Sequence, residues 1–289
     1  MKQTVVIYHK SDFDGIFCRE IAKKKFGDEA EYIGWEYGEP EPVVSPEQNL
    51  YILDLSVPGL MNHPKLIWID HHKSAIDKYP TSIGGLRIDG VAACRLAWQY
   101  FFGPTFIDLL MKESFIDRKV IEPLAVRLAG EYDIWDKRNP NVDWFQRGLY
   151  SFNLEDRHWD ELLKVTFYYH GLVINLCERG KIVNDYQNIV DEQLLKSRSF
   201  DLHWGGLCFL AINHARCNSM TFESGAKEYH DGLLSFCWTG TKWTISMYHT
   251  AFNKEIDLSA IAVQFGGGGH KGACGFTCTT LPFNPFWSK

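Results

Sequence analysis

Three short apolar runs in the first quarter of the chain each stop at a polar residue: Val5-Val6-Ile7-Tyr8 before His9, Tyr51-Ile52-Leu53 before Asp54, and Leu66-Ile67-Trp68-Ile69 before Asp70. Continuous apolar runs of this length suit strands buried on both faces, which means a parallel sheet covered by helices. Between the first two, residues 16–26 place Phe17 with Ile21 and Cys18 with Ala22 at helical spacing, and Tyr32-Ile33-Gly34-Trp35 reads as a further strand. The predicted order is β, α, β, β, β. Glu39-Pro40-Glu41-Pro42 and Ser45-Pro46 make the stretch before Tyr51 a loop, because proline restricts both itself and its predecessor.

Helical spacing then takes over, across 91–102, 106–115, 122–129 and 159–173, and the charged, sparsely apolar segment that follows reads as a linker helix. From Leu207 the pattern changes to strands over 207–212, 233–238 and 243–248, split by glycine-containing turns. Asp257 or Ser259 caps a last helix through Val263, which runs into Gly266-Gly267-Gly268-Gly269-His270. The expected fold class is α/β: an N-terminal parallel-sheet domain with flanking helices over 1–177, a linker helix over 178–200, and a smaller C-terminal α/β domain over 201–289.

A chain of 289 residues with 45% hydrophobic content can bury the cores of two domains. Acidic side chains outnumber basic ones 36 to 30, for a net charge of −6, and no long basic tract is present. That excludes electrostatic wrapping of a long nucleic acid; a small anionic substrate would need local positive charge or metal ions. The eight cysteines form no Cys-x-x-Cys pair and read as reduced packing residues. No apolar stretch approaches the roughly 18 residues of a membrane span, and no signal-peptide pattern precedes the first strand, so a soluble cytoplasmic protein is expected.

The chemistry gathers at the strand ends. His9-x-x-Asp12-x-Asp14-Gly15 offers three metal ligands from one short loop, with Gly15 permitting the turn into a helix; the alternative is that Asp12 or Asp14 simply caps that helix. Asp54 is an acid inside an apolar strand, and a buried carboxylate is costly unless paired, hydrogen-bonded or metal-bound; its alternative is a strand-end turn acid before Ser56 and Pro58. With Asp70-His71-His72, three strands end in metal-binding side chains at the sheet edge where open α/β folds place their ligands. Together they indicate a dinuclear metal site. Carboxylate and imidazole ligands without thiolates suit Mn2+ first, with Mg2+, Co2+ and Fe2+ also admitted.

The glycine run can bring backbone amides close to a phosphate, with His270 and Lys271 adding donors, or it is a tight helix-to-strand turn. Weaker candidates are the helix start at Val91-Ala92-Ala93, whose N–H groups can face phosphate although a plain packing helix is favoured, the side chains of Arg95 and Arg127, on substrate or on solvated helix faces, and the pair His214 and Arg216 after a C-terminal strand. The ten tryptophans read mostly as packing, with one or two open to base stacking.

His9-x-x-Asp12-x-Asp14-Gly15, then Asp54, then Asp70-His71-His72 resembles the DHH phosphoesterase superfamily, named for that triplet. Gly266 to Phe276 is similar to the signature of the DHH-associated C-terminal domain, found in the branch with nanoRNases and cyclic-dinucleotide phosphodiesterases. The resemblance implies two Mn2+ or similar ions bridged by an aspartate and a hydroxide. His9 and Asp12 would bind the first ion, Asp14 and His71 the second, and Asp54 would bridge them. Asp133 in Glu131-Tyr132-Asp133-Ile134-Trp135-Asp136 would complete the second ion, with Asp136 and Glu131 as alternatives.

Asp70 would orient an imidazole from behind the metals, and His72 would face the phosphate as the other catalytic group, its alternative being a structural histidine bonded to backbone. Gly267, Gly268, Gly269, His270, Lys271 and Arg216 would hold the terminal nucleotide, with the active site in the cleft between the domains. The expected activity is hydrolysis of short oligonucleotides or linear dinucleotides to mononucleotides. Cyclic dinucleotides and 3′-phosphorylated adenosine nucleotides are the next substrates, and a non-catalytic nucleotide sensor is the reading from another class. The glycine-histidine stretch disfavours a pyrophosphatase, and the lack of basic surface a processive DNA exonuclease. The first motif is shorter than the family's spacing, so the motifs do not choose the substrate.

Overall fold

The computed structural model describes residues 2–104, 111–165 and 171–285, which divide into two compact units, Met1–Asn184 and Asp185–Lys289. In the first unit the strands are β1 (Thr4–His9), β2 (Ala30–Trp35), β3 (Asn49–Leu53), β4 (Leu66–Asp70) and β5 (Gly84–Arg87), with α1 (Phe13–Phe26) between β1 and β2 and α2 (Lys73–Lys78) after β4. They form one sheet in the order β2-β1-β3-β4-β5, and every pair is parallel.

The apolar runs lack alternation because both faces are covered. Val6, Leu53 and Ile69 pack into a core with Phe17 and Ile21 of α1, while Val5, Ile7, Ile52 and Trp68 belong to a second core with Trp35, Leu55, Val57, Met61 and Ala75. Covered on both faces, β1, β3 and β4 leave only their ends to charged side chains. A parallel sheet puts the carboxyl ends of all its strands at the same edge.

Sequence reasoning did not find β5 or α2. β5 opens with two glycines, which are depleted in strands. Gly85 is required there: it sits at φ 121°, and a Cβ would lie 2.0 Å from the carbonyl oxygen of Trp68 on β4.

The first core is completed by α3 (Ala93–Phe102), α4 (Lys112–Ile116), α5 (Leu124–Asp133), α6 (Val142–Tyr150) and α7 (Asp156–Leu162). Of the helix expected over 106–115, residues 106–110 lie outside the described residues, as do 166–170 of the helix expected over 159–173. α8 (Gly171–Arg198) is longer at its start than the linker expected over 178–200 and carries the chain from the first unit into the second. Among the described residues, no helix is long and apolar enough to cross a membrane.

The second unit is built on β6 (Ser199–Trp204), β7 (Leu207–Asn213), β8 (Gly232–Trp238), β9 (Trp243–Tyr248), α9 (Leu258–Gln264), β10 (Gly268–His270) and β11 (Ala273–Cys278). Its sheet runs β10-β11-β9-β8-β7-β6, antiparallel except for the parallel pair β7 and β8. Leu202, Phe209, Leu234, Phe236, Ile245 and Met247 form its core with Leu258 and Ala262 of α9. The expected strands over 207–212, 233–238 and 243–248 match β7, β8 and β9. The edge strands β6 and β10, and β11 inside β10, have no comparable apolar run, so hydropathy does not signal them. All eight cysteines are free thiols.

Candidate metal centre

At the carboxyl edge of the first sheet, β1 ends on His9, β4 ends on Asp70, and Asp54 directly follows β3. Asp12 is the N-cap of α1, its Oδ1 accepting the N–H of Gly15 at 3.0 Å. The capping and metal readings of this residue coexist, because Asp12 Oδ2 lies 2.8 Å from His9 Nδ1. Gly15 is needed where it is: a Cβ would fall 1.9 Å from the carbonyl oxygen of His9.

Asp14 is buried, and its two oxygens accept the N–H groups of Ala93 and Cys94 at 2.8 Å each. It thereby caps α3 from outside, where the helix dipole favours a negative charge. Of the two readings of this helix start, the phosphate one is set aside, since Asp14 already occupies the N–H groups of Ala93 and Cys94. Arg95, expected on substrate or on a solvated face, is buried and paired with Glu122 at 2.6 Å; Arg127 pairs with the same carboxylate at 3.1 Å.

Asp54 sits at φ 64°, a left-handed conformation that short polar residues tolerate better than bulky ones. Its side chain is buried, and neither carboxyl oxygen has a hydrogen-bond partner. Oδ2 lies 3.5 Å from His9 Nδ1 and Oδ1 lies 3.4 Å from His71 Nε2. His71 Nε2 also lies 3.7 Å from Asp14 Oδ2 and 3.2 Å from Asp133 Oδ2. The other acids considered for the place of Asp133 are held elsewhere, Glu131 by Arg118 and Asp136 by Arg138.

Asp70 is buried with a different set of partners. Its Oδ1 accepts the backbone N–H of His71 at 2.7 Å and of His72 at 3.1 Å, and it lies 2.7 Å from His72 Nδ1. The imidazole that Asp70 orients is thus that of His72.

Charge in this cluster is unbalanced. Burial and the neighbouring Asp14 carboxylate push the Asp54 carboxyl well above the usual carboxylate range, and the same two causes push Asp133 up to about 8. Burial disfavours a charged His9, yet the nearby Asp12 and Asp54 carboxylates carry it up to about 11. His71 is raised too, since Asp133 and Asp14 outweigh its burial. Acids forced toward neutrality beside imidazoles forced toward protonation mark a site short of positive charge.

Two triads, His9 with Asp12 and Asp54, and Asp14 with His71 and Asp133, each gather one ligand atom per residue within 4.8 Å. Asp54 also groups with His71 and His72, which links the triads. Oxygen and nitrogen donors around a buried carboxylate with no hydrogen-bond donor of its own fit divalent cations.

No family model matches the chain. A curated relative, the uncharacterized protein R106 of Acanthamoeba polyphaga mimivirus, is 27% identical over 233 residues, covering 75% of this chain and 49% of the relative. The chain thus spans about half the length of the curated relative it matches. Among solved structures, the pGpG-specific phosphodiesterase PggH from Vibrio cholerae matches with a TM-score of 0.52 and 12% identity over 96% of this chain and 94% of that one. The DHH domain of a member of a ribosomal-protein family matches with a TM-score of 0.53 and 12% identity over 95% of this chain and 82% of that one. The chain has the DHH fold.

Within the second unit, the glycine run of this DHH fold forms a helix-to-strand turn into β10. Gly266 and Gly269 take φ values of 74° and 132°, and a Cβ on Gly267 would meet the carbonyl oxygen of Gly275 at 2.1 Å. Close backbone approach therefore accounts for Gly267 and Gly269, while Gly268, with open space where its Cβ would be, carries no such constraint. His270 ends β10, exposed; Lys271 lies 4.0 Å from Glu255; Arg216 sits exposed in a turn after β7 at φ 60°.

Glu36 escaped sequence reasoning. It directly follows β2, as Asp54 directly follows β3, and its Oε2 lies 3.1 Å from His9 Nε2. Applying the strand-end rule to all four predicted strands, rather than to the three strongest runs, would have found it. The described residues hold one further group of ligand types, Asp201, Cys208 and His230 in the second unit.

Proposed function

We propose that the chain is a metal-dependent phosphodiesterase of the DHH superfamily, in the branch with the DHH-associated C-terminal domain, that hydrolyses short oligonucleotides or linear dinucleotides to mononucleotides. The observation that carries this reading is Asp54: a buried carboxylate, unpartnered at both oxygens, between His9 and His71. His9, Asp12 and Asp54 would hold one divalent cation and Asp14, His71 and Asp133 the other, with Mn2+ the first choice. The fold likeness to a pGpG-specific phosphodiesterase supports a dinucleotide as the substrate class.

A pair of divalent cations bound there supplies positive charge to phosphoryl oxygens and acidity to a water. The remaining steps belong to the side chains. Asp54 fixes the centre between two imidazoles. Asp70 holds His72 through Nδ1, and the imidazole so oriented would act on a phosphoryl or leaving-group oxygen. In the second unit, His270, Lys271 and Arg216, beside Gly268 and Gly269, would bind the terminal nucleotide or phosphate, whereas the N–H of Gly267 is taken by the Ala262 carbonyl at 2.9 Å.

The test is a panel of 5′-labelled short RNA, short DNA, linear and cyclic dinucleotides and 3′,5′-bisphosphates, each with Mn2+ and with EDTA. Release of mononucleotides from the linear dinucleotide, dependent on metal and lost in Asp54→Ala, is the expected result. Tight binding without turnover in wild type and Asp54→Ala alike would replace the enzyme by a nucleotide sensor.

A further inference from the structure

The two ring nitrogens of His9 face different neighbours. Nδ1 is buried, makes no aligned hydrogen bond, and lies 2.8 Å from Asp12 Oδ2 and 3.5 Å from Asp54 Oδ2. Nε2 is hydrogen-bonded to Glu36 Oε2 at 3.1 Å. Glu36 is itself held in place: Oε1 accepts the N–H of Tyr37 at 3.0 Å, Oε2 accepts the hydroxyl of Ser11, and its own N–H donates to Glu39 Oε2 at 3.2 Å. β1 and β2 are parallel neighbours with His9 opposite Trp35, so the residue after β2 emerges beside the residue that ends β1.

We infer that Glu36 is the positioning residue of the metal centre: it keeps the proton of neutral His9 on Nε2 and so aims the Nδ1 lone pair at the point shared with Asp12 and Asp54. The inference rests on the metal-centre reading given above. A ligating imidazole must offer a lone pair, and which nitrogen offers it is decided by the hydrogen bond the other one makes. A carboxylate accepting that second N–H fixes both tautomer and ring orientation and makes the ligand more basic. Glu36 can only accept, so the proton between it and neutral His9 belongs to the imidazole. An ordinary ion pair at such partial exposure would tie β1 to β2 for little gain and would have no bearing on which nitrogen faces the carboxylates.

Mn2+ titration calorimetry on wild type, Glu36→Gln and Glu36→Ala separates the two roles. Removing an orienting partner of this kind weakens metal binding roughly 10- to 100-fold, so Glu36→Ala is expected to lose affinity in that range. Glu36→Gln, which still presents an acceptor oxygen to Nε2–H, is expected to fall between Ala and wild type and guards against misfolding of the alanine variant. Long-range 1H–15N spectra with Mg2+ bound read the tautomer directly: Nε2–H in wild type and Glu36→Gln, a mixture in Glu36→Ala. Wild-type Mn2+ affinity in Glu36→Ala with the Nε2–H tautomer retained would overturn the role of Glu36 while leaving the metal centre standing. Absence of Mn2+ binding in wild type would remove the metal centre and this inference with it.

Discussion

In the first unit Asp54 lies between His9 and His71 with both carboxyl oxygens unpartnered; in the second, Asp201, Cys208 and His230 come equally close, yet the imidazole and the carboxylate are hydrogen-bonded. His230 Nδ1 accepts the N–H of Lys227 at 2.9 Å, which in a neutral imidazole places the proton on Nε2, and Nε2 meets Asp201 Oδ1 at 3.0 Å. Asp201 Oδ2 takes the hydroxyl of Tyr229 at 3.2 Å. A nitrogen that donates has no lone pair for an ion. Nearness of ligand-type residues is therefore common to both clusters, whereas a buried lone pair without a donor belongs to the first alone.

The largest effect that can break this contrast is expected at Asp54. Asp54→Asn keeps the shape and removes the charge. Metal ions contribute several kcal/mol to such reactions, and at 1.36 kcal/mol per decade the turnover of labelled dinucleotide is expected to fall by on the order of 10³-fold or more. Metal content by mass spectrometry should fall with it. Wild-type metal content in an inactive Asp54→Asn would show that Asp54 does not hold the cations, and the lesson drawn from its bare oxygens would fail.

Asp70 sharpens the contrast, because it is as buried as Asp54 but spends Oδ1 on three hydrogen bonds to His71 and His72. Asp70→Asn is expected to lower turnover by roughly 10- to 100-fold, as loss of an orienting carboxylate does, with metal content maintained. A metal content that collapsed in Asp70→Asn as fully as in Asp54→Asn would place Asp70 among the ligands instead.

How much of this was legible in the sequence follows from what each signal measures. The parallel sheet was readable because strands buried on both faces leave continuous apolar runs, and His9, Asp54 and Asp70 stood out as polar groups ending them. β5 was not readable, since Gly85 is there for close approach to β4 rather than for strand propensity. Asp14 was singled out as a ligand, but its capping of α3 joins residues far apart in the chain, and no local pattern announces such a bond. Glu36 was hidden by the proline-rich loop that follows it, which makes an acid there look like solvated loop composition. Which acid after α5 meets His71 was likewise a tertiary matter, decided by Arg118 and Arg138 taking Glu131 and Asp136.

The unbalanced charge of the first cluster predicts a pH dependence of a definite sign for the metal-free protein. Burial and Asp14 raise the folded-state pKa of Asp54, and of Asp133 to about 8, so the folded chain binds protons that the unfolded chain has released. Their contribution is fully present below the ordinary carboxylate pKa and is lost as pH rises, for Asp133 through about 8. His9, raised to about 11, adds a contribution that is present below 6.5 and still declining in the alkaline range. All three shifts act in one direction. In EDTA the melting temperature is expected to fall between about pH 5.5 and 8.5, by roughly 2–4 °C per kcal/mol lost for a unit of this size. Saturating Mn2+, which binds the deprotonated ligands, should flatten the slope. A metal-free melting temperature that rose with pH would contradict the charge imbalance on which the contrast depends.

The smallest effect is expected in the second unit, and it tests the contrast from the other side. His230→Ala removes the donor to Asp201 and the acceptor of Lys227 N–H, so it is expected to cost the second unit about 1–3 kcal/mol while metal content and turnover hold. Cys208→Ser is milder still. The Cys208 backbone N–H and carbonyl are bonded to Asp231 at 2.8 and 2.7 Å, and burial pushes its thiol up, away from the thiolate form. Exchanging sulfur for oxygen there is expected to leave metal content and turnover at wild-type values and stability within about 0.5 kcal/mol. Loss of one ion per chain in Cys208→Ser would mean that the second cluster binds metal despite its satisfied hydrogen bonds. The proton on His230 Nε2 would then have to be displaced on binding, and an orphaned lone pair would no longer distinguish a metal centre from a structural cluster in this chain.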